Sequence, residues 1–422
     1  MKMNKNFNVL DIADSIKKNS KPHFLNKVFK KIILNKFSNL KNGFIEISDS
    51  KKTFKVGCEK STLKCNISIK SDEFYVFIGS GGLLGACEAY ALDFWDTDKL
   101  DILIKIMVKN KSLMSSIDSG IASIVKPINR FIHYQRQNTI IGSKNNILAH
   151  YDLSNDFYKL WLDKTMTYSC GIFENNKTTL EEASIEKLDR ICKKLKLSPN
   201  DHILEIGTGW GSFAIHAAKK YGCKITTTTI SDAQFNYAKN KIKDEKLDKK
   251  IELINKDYRL IQGKYDKIVS IEMIEAVGHK NVPAYFRKVS ELLKDDGIFV
   301  MQGITYNDQN FDTYKNSVDF INKYIFPGSC LISINQVSSA IKKYTNLIFI
   351  DLDDITEHYV TTLKLWKKNF FNKIDKVKDL GFSDSFIKLW EFYLVYCEAG
   401  FAEKNIGDYQ FTFIKNKDLV PK

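Results

Sequence analysis

Two carboxylates three residues apart, Glu272 and Glu275, stand at and just beyond the end of the apolar run Tyr265–Met273, and a third acid, Glu205, stands two residues before Gly207 in Gly207-Thr208-Gly209-Trp210-Gly211. Acids at the carboxyl end of a strand can hold a substrate's proton or a small base. The stretch Ile203-Leu204-Glu205-Ile206 reads as a short buried strand. It runs through the glycines into a segment whose apolar residues (Phe213, Ile215, Ala217, Ala218) fall at helical spacing. Strand, glycine turn and helix form the cofactor entrance of a doubly wound α/β domain, where ligands lie beyond the strands' carboxyl ends. The glycines run 207, 209, 211, and the second strand ends in Thr227-Thr228-Thr229-Ile230-Ser231 without an acid for a dinucleotide ribose. That pattern fits S-adenosylmethionine better than NAD, since no pyrophosphate has to be cradled at a helix N-terminus.

The elements that must carry these groups follow from alternation and periodicity. From His202 onward, strands are expected at His202–Gly207, Lys224–Ser231, Lys250–Asp257, Tyr265–Met273, Ile298–Thr305, Leu347–Leu352 and Tyr409–Lys415, with helices such as Ala233–Lys243 and Val282–Lys294 between them. Thr178 with Glu181 reads as a capping box opening a helix to Lys196. Two long helical patterns, Glu357–Val377 and Ser383–Glu403, are too much chain for a connection and read as an insertion covering the site. The fold class is therefore α/β: a doubly wound, seven-stranded Rossmann-like domain with helical insertions, preceded by a smaller α+β domain.

That smaller domain occupies residues 1–110. Residues 7–40 carry Phe24, Val28, Ile32, Ile33 and Phe37 at helical spacing among lysines. Period-two segments at Phe44–Ile47, Thr53–Val56, Leu63–Ile69 and Phe74–Ile78 argue for an antiparallel sheet, broken by Gly79-Ser80-Gly81-Gly82 before an apolar helix, Leu83–Phe94. A helical linker is expected over 111–150, where Ile117, Ile121, Ile124, Ile128, Phe131 and Ile132 form a stripe beside Arg130, His133 and Arg136. It would pack between domains or lie on an anionic bilayer. The cofactor domain spans 151–422.

Lysine and arginine exceed aspartate and glutamate by 64 − 50 = 14 charges. Such a surplus favours nucleic acid or an acidic membrane surface, and no nucleic-acid recognition motif accompanies it. Eight cysteines without a Cys-x-x-Cys pair, and seven histidines without ligand spacing, leave no metal site in view. No signal peptide is expected from residues 1–18, and no uninterrupted apolar run approaches the roughly 20 residues a spanning helix needs. The expected location is the cytoplasm.

Longer motifs carry a resemblance. His150-Tyr151-Asp152-Leu153-Ser154-Asn155-Asp156-Phe157-Tyr158, Met166-Thr167-Tyr168-Ser169-Cys170, Leu204–Gly211, Thr229-Ile230-Ser231 with Gln234, Glu275-Ala276-Val277-Gly278, Tyr324–Gly328 and His358-Tyr359 through Trp366 together resemble the cyclopropane-fatty-acyl-phospholipid synthase family. The likeness covers nearly the whole chain, and residues 1–105 resemble the extra domain of its phospholipid-acting members. It implies transfer of a methylene group from S-adenosylmethionine to the cis double bond of an unsaturated phospholipid, at the inner face of the membrane. It further implies a lipid-associating N-terminal domain and leaves a homodimer open.

By that resemblance Tyr168, Ser169, Gly207, Gly209, Thr229 and Gln234 meet the cofactor; Glu205, Gly211 and Tyr258 are placed with them. A bicarbonate ion would be held at Cys170, Glu275, Ile304 and Tyr359. Two positions depart from the family pattern: Gln302 replaces a histidine, and Ala276 replaces the histidine that often follows the acid. An amide can hydrogen-bond an anion but takes up no proton near neutral pH. The implied chemistry suits these residue types. An alkene is a weak nucleophile and needs a sulfonium methyl; the resulting carbocation needs dry surroundings and aromatic faces, for which Tyr168, Phe173, Tyr359 and Trp366 are candidates. A base then removes a proton from the new methyl so that the ring closes. Cys170 could instead be a nucleophile, though nothing marks an acyl-enzyme. The alternatives are simple C-methylation giving a branched or methylene-bearing chain, a non-catalytic lipid-binding relative, and an NAD-dependent oxidoreductase, which the glycine spacing disfavours.

Overall fold

The fold is interleaved along the chain. In the computed structural model, which describes residues 24–110, 113 and 153–419, residues 24–113 group with 317–325 and 370–403, while 153–316, 326–369 and 404–419 form a second unit. The division expected at residue 151 therefore does not assign everything after it to one body. The stripe of residues 117–132, residues 7–23 and His150–Asp152 lie outside the described residues.

In the first unit, helix α1 (Phe24–Phe37) precedes strands β1 (Phe44–Ser48), β2 (Thr53–Gly57) and β3 (Lys64–Ile69). Alternation places Ile45, Ile47, Cys65, Ile67 and Ile69 in the core. The sheet is mixed, not antiparallel: its order is β2-β1-β3-β4, with β1 and β3 parallel. The segment Phe74–Ile78, expected as a strand, is helical. It opens α2 (Glu73–Ala91), which continues through the glycines with a kink at Gly82 (φ 58°, ψ −134°). Because α2 is buried on nearly every side, its sequence shows no helical period and mimics a buried strand. The fourth strand is instead β4 (Trp95–Thr97), and α3 (Leu100–Lys109) follows.

On α1, Phe29, Ile33 and Phe37 are buried, whereas Val28 and Ile32 are exposed, so the buried stripe is narrower than the spacing suggested. Helix Asp384–Ala402, read from sequence as a cover for the site, packs on α2 and α3 in this unit. The Tyr90 hydroxyl donates to Glu391 at 2.8 Å.

The second unit follows the sequence expectation closely. Helices α4 (Asn155–Lys159) and α5 (Leu180–Lys194) lead into β5 (His202–Ile206), α6 (Ser212–Lys220), β6 (Lys224–Thr229), α7 (Asp232–Asp244), β7 (Ile251–Asn255), β8 (Tyr265–Ile271), α8 (Val282–Leu292), β9 (Leu293–Tyr306), α9 (Ile334–Tyr344), β10 (Leu347–Asp354), α10 (Thr356–Asn372) and β11 (Ile406–Lys415). The capping box of α5 is Thr179 with Glu182, one residue beyond the expected pair. The sheet order is β10-β11-β9-β8-β5-β6-β7, and only β11 runs against its neighbours. One face is covered by α8 and α9 through Tyr285, Phe286, Val289, Val337 and Ile341. The other is covered by α5 and α6 through Leu188, Ile191, Phe213 and Ala217.

The α2 kink sets different limits on two nearby glycines. A Cβ on Gly85 would lie 1.9 Å from the Phe77 carbonyl oxygen, while one on Gly81 would meet nothing within 4 Å. Gly85→Ala is expected to destabilise the protein by about 1–3 kcal/mol or more, and Gly81→Ala to leave it unchanged or stabilise it by up to about 1 kcal/mol. Denaturant midpoints of the two variants check this.

Candidate active site

The carboxyl ends of β8 and β9 and the start of β11 converge on a buried acid centre. Sheet register sets Gln302 opposite Ile271 on one side and Gln410 on the other, and sets Asp408 opposite Ile304. Glu272 follows β8 directly. Its backbone N–H donates to the Gln302 carbonyl at 2.9 Å, and its φ of 48° is one that L residues rarely adopt.

Three donors converge on the Glu272 carboxylate, which also neighbours the Asp408 carboxyl. Oε1 accepts from the backbone N–H of Cys170 and from Gln302 Nε2, both at 2.8 Å. Oε2 accepts from the Tyr359 hydroxyl at 2.6 Å. The same Gln302 nitrogen donates to Asp408 Oδ2 at 3.0 Å, and Gln302 Oε1 accepts from Gln410 at 3.2 Å. Burial and the neighbouring charge of Glu272 push the Asp408 carboxyl well above its ordinary value.

Glu275 lies one turn onward. Its Oε1 accepts from the Ile304 N–H at 2.6 Å, and its Oε2 is buried without a hydrogen-bond partner. Burial, reinforced by Glu272, raises it to about 8.

Helix α10 builds one wall. Thr362 accepts from the Gly171 N–H at 3.1 Å and His358 Nδ1 from the Phe173 N–H at 3.2 Å, clamping the Tyr168–Phe173 segment against the helix. Tyr168 then packs among Trp366 (5.2 Å between centroids), Trp161 (5.3 Å), Tyr158 (5.5 Å) and Phe326 (6.2 Å). The Tyr359 ring meets Trp366 edge-on at 6.0 Å. Phe173 stacks on His358 rather than joining this wall. Cys170 is fully buried, its thiol is pushed up by burial, and its Sγ donates to backbone carbonyls. Those are the marks of an inert thiol and argue against the nucleophile reading.

The glycine turn abuts this centre. Gly207, Gly209 and Gly211 have φ of 100°, 53° and 93°. A Cβ on Gly207 would touch Met273 at 3.2 Å, so only glycine lets the turn come this close to the acid segment. Gly209 faces open space. Thr229 donates to Gln234 Oε1 at 3.1 Å, which joins these two predicted cofactor residues behind the turn.

Other predicted cofactor positions have internal occupations. Ser169 accepts from the buried Lys187 at 2.7 Å. Glu205 is buried in the sheet and accepts from Thr227 at 2.5 Å. Tyr258 packs edge-on against Tyr285 in the core. Sequence reasoning missed Lys187 and Asp408, and passed over Glu272 for Glu275. The buried lysine carries no signal in so lysine-rich a chain; Asp408 could have been suspected as a lone acid in the strand Ile406–Lys415.

The donors assigned by resemblance to bicarbonate do not fit a free ion. Cys170 N–H, Gln302 and Tyr359 already hold the Glu272 carboxylate, and the Ile304 N–H holds Glu275. Among the described residues no group of three or more His, Cys, Asp or Glu is arranged to hold a metal ion.

This sheet order, with a glycine turn at its centre, is that of the Rossmann-like fold of S-adenosylmethionine-dependent methyltransferases. Residues 139–411 match the family described as mycolic acid cyclopropane synthetase, and the chain belongs to it. Its relatives include the tuberculostearic acid methyltransferase UfaA1 of Mycobacterium tuberculosis, 33% identical over 356 residues and 80% of each chain. Cyclopropane-fatty-acyl-phospholipid synthase of Escherichia coli is 31% identical over 357 residues, 82% of this chain and 87% of that one. The structure of mycolic acid cyclopropane synthase CmaA1 complexed with SAH and CTAB superposes with a TM-score of 0.60 at 30% identity, covering 64% of this chain and 98% of that one. The protein is thus a lipid-modifying methyl or methylene transferase by family.

Glu205 gives a pH test. Burial raises its carboxyl to about 8, the Thr227 hydrogen bond opposing the rise. Below about 4.5 both folded and unfolded chains are protonated there and the group is neutral to stability. Between about 4.5 and 8 only the unfolded chain ionises, so the folded state loses stability as pH rises, by an amount on the order of a few kcal/mol. Glu205→Gln is expected to remove that loss: its stability relative to the parent should improve from pH 5 to 8 and then level off, as read by denaturant unfolding across pH.

Proposed function

We propose that the protein transfers the methyl carbon of S-adenosylmethionine to the cis double bond of an unsaturated phospholipid acyl chain and then removes a proton, closing a cyclopropane ring. The observation that carries this reading is the double use of Tyr359. Its hydroxyl grips the Glu272 carboxylate at 2.6 Å, while its ring packs on Trp366 in the aromatic wall. A carboxylate and cation-stabilising faces are therefore brought together by one side chain, as the chemistry requires.

The glycine turn, Tyr168, Thr229 and Gln234 would hold the cofactor. When bound, the cofactor supplies an electrophilic methyl group on a sulfonium. The remaining work belongs to the chain. Trp161, Tyr168 and Trp366 keep water from the cation, which would otherwise be quenched to an alcohol. Glu275, held near neutrality by burial, fixes the Ile304 backbone beside the centre without adding a second full charge.

The substrate would be reached at an anionic bilayer surface. The surplus of 14 positive charges supports this, and no described helix is long and apolar enough to cross a membrane.

A second reading is C-methylation leaving a methyl- or methylene-branched chain. It is supported by Gln302 in place of histidine, and by relatives that include a tuberculostearic acid methyltransferase and a probable fatty acid methyltransferase of Pseudomonas putida.

Incubation with labelled S-adenosylmethionine and cis-unsaturated phospholipid vesicles should label the fatty-acid fraction. Chromatography after hydrogenation separates ring from methylene product; no label in that fraction would defeat both readings. Glu275→Gln is expected to lower turnover roughly 10- to 100-fold while calorimetric cofactor affinity stays within about threefold. Equal losses would mark Glu275 as a cofactor ligand. Binding to vesicles rich in acidic lipid should weaken as salt is raised, because screening shortens the reach of lysine charges; salt-independent binding would leave the charge surplus without a role.

A further inference from the structure

We infer that the carboxylate of Glu272 is itself the proton acceptor of this reaction, a built-in replacement for the bicarbonate ion that the family resemblance assigns to the same donors. The inference rests on the proposed alkene chemistry. Four observations point to it together. Glu272 Oε1 and Oε2 take the Cys170 N–H, the Gln302 amide and the Tyr359 hydroxyl, three of the groups a small anion would use. Gln302 holds the carboxylate on the same nitrogen that holds Asp408. Glu272 sits in the left-handed region at φ 48°, where glycine would be at ease and a glutamate needs a reason. Met273, the next residue, lies against Gly207 of the cofactor turn, so the carboxylate is positioned at the edge of the methyl-donor site.

The step balances without an added base. The π pair of the alkene forms the new carbon–carbon bond as the sulfonium carbon–sulfur pair returns to sulfur, and the second alkene carbon becomes cationic. A Glu272 oxygen then takes a proton from the transferred methyl. The freed C–H pair closes the ring, and Glu272 is left as a neutral carboxylic acid until it releases the proton to solvent. Asp408 shares the Gln302 amide with Glu272, and burial beside that carboxylate pushes its own carboxyl well above the ordinary value, so of the two acids it is the one that favours its proton.

The test compares the full-length protein with Glu272→Gly and Glu272→Gln in buffer purged of carbon dioxide, using S-adenosylmethionine and cis-unsaturated phospholipid vesicles. Glycine suits the φ at this position and empties the anion position; glutamine fills it with a group that takes no proton. The parent protein should turn over at the same rate with and without added bicarbonate. Glu272→Gly should fall roughly 100-fold or more and recover as bicarbonate is supplied. Glu272→Gln should fall similarly and stay low. Parent activity that depends on bicarbonate, or a fully active Glu272→Gln, would overturn the inference.

A second readout is independent of lipid turnover. Carbon-13 bicarbonate observed by NMR should bind Glu272→Gly and not the parent, and binding to the parent would overturn the inference. A parent that binds S-adenosylmethionine, excludes bicarbonate and labels no unsaturated lipid would instead sink the proposed substrate and leave the anion assignment standing.

Discussion

A single side-chain amide lies between the buried Asp408 carboxyl and the half-buried Glu272 carboxylate, and the rest of the site is arranged around that fact. Two like charges on one nitrogen would repel each other in a poorly solvated interior. The conflict is eased by dividing the roles: burial and Glu272 push the Asp408 carboxyl toward its neutral form, and Glu272 takes donors from three separate chain segments. A neutral imidazole at position 302 would have one N–H to offer. The amide instead gives Nε2 to both acids and accepts from Gln410 through Oε1. Glutamine in place of histidine is thus matched to the presence of Glu272 and Asp408, and is not an isolated departure from a motif.

Backbone groups, more than side chains, bring the distant motifs together. The segment around Tyr168 and helix α10 are almost two hundred positions apart, yet Gly171 and Phe173 each donate a main-chain N–H to a side chain on that helix. His358 therefore accepts through Nδ1, and burial holds its ring neutral. The clamp brings Tyr168 beside Trp366, 5.2 Å between ring centroids, in the same wall as Trp161 and Phe326.

The sheet was legible because parallel strands alternate with amphipathic helices and the glycine turn marks the first crossover. What could not be read has specific causes. Phe74–Ile78 lies in a helix buried all round, so neither period appears in its residues. Adjacent threonines at 178 and 179, with adjacent acids at 181 and 182, offer two equally spaced capping boxes, and the N-cap geometry selects the second. Helix Asp384–Ala402 is apolar enough to cover a site, but which surface it covers depends on tertiary contacts with α2 and α3. Glu272 and Glu275 were both visible as rim acids; their separate tasks depend on the register that sets Gln302 opposite Ile271, which no local pattern encodes.

The placement of β11 has a further effect, on the order of events during synthesis. It is the last of the sheet's strands to be translated, yet it lies between β9 and β10. Until it emerges, β10 has no neighbour in the sheet and β9 presents a bare, apolar edge to its surroundings. Asp408 and Gln410 arrive with it, so the nascent polypeptide completes its sheet and its acid centre in one late, long-range docking event.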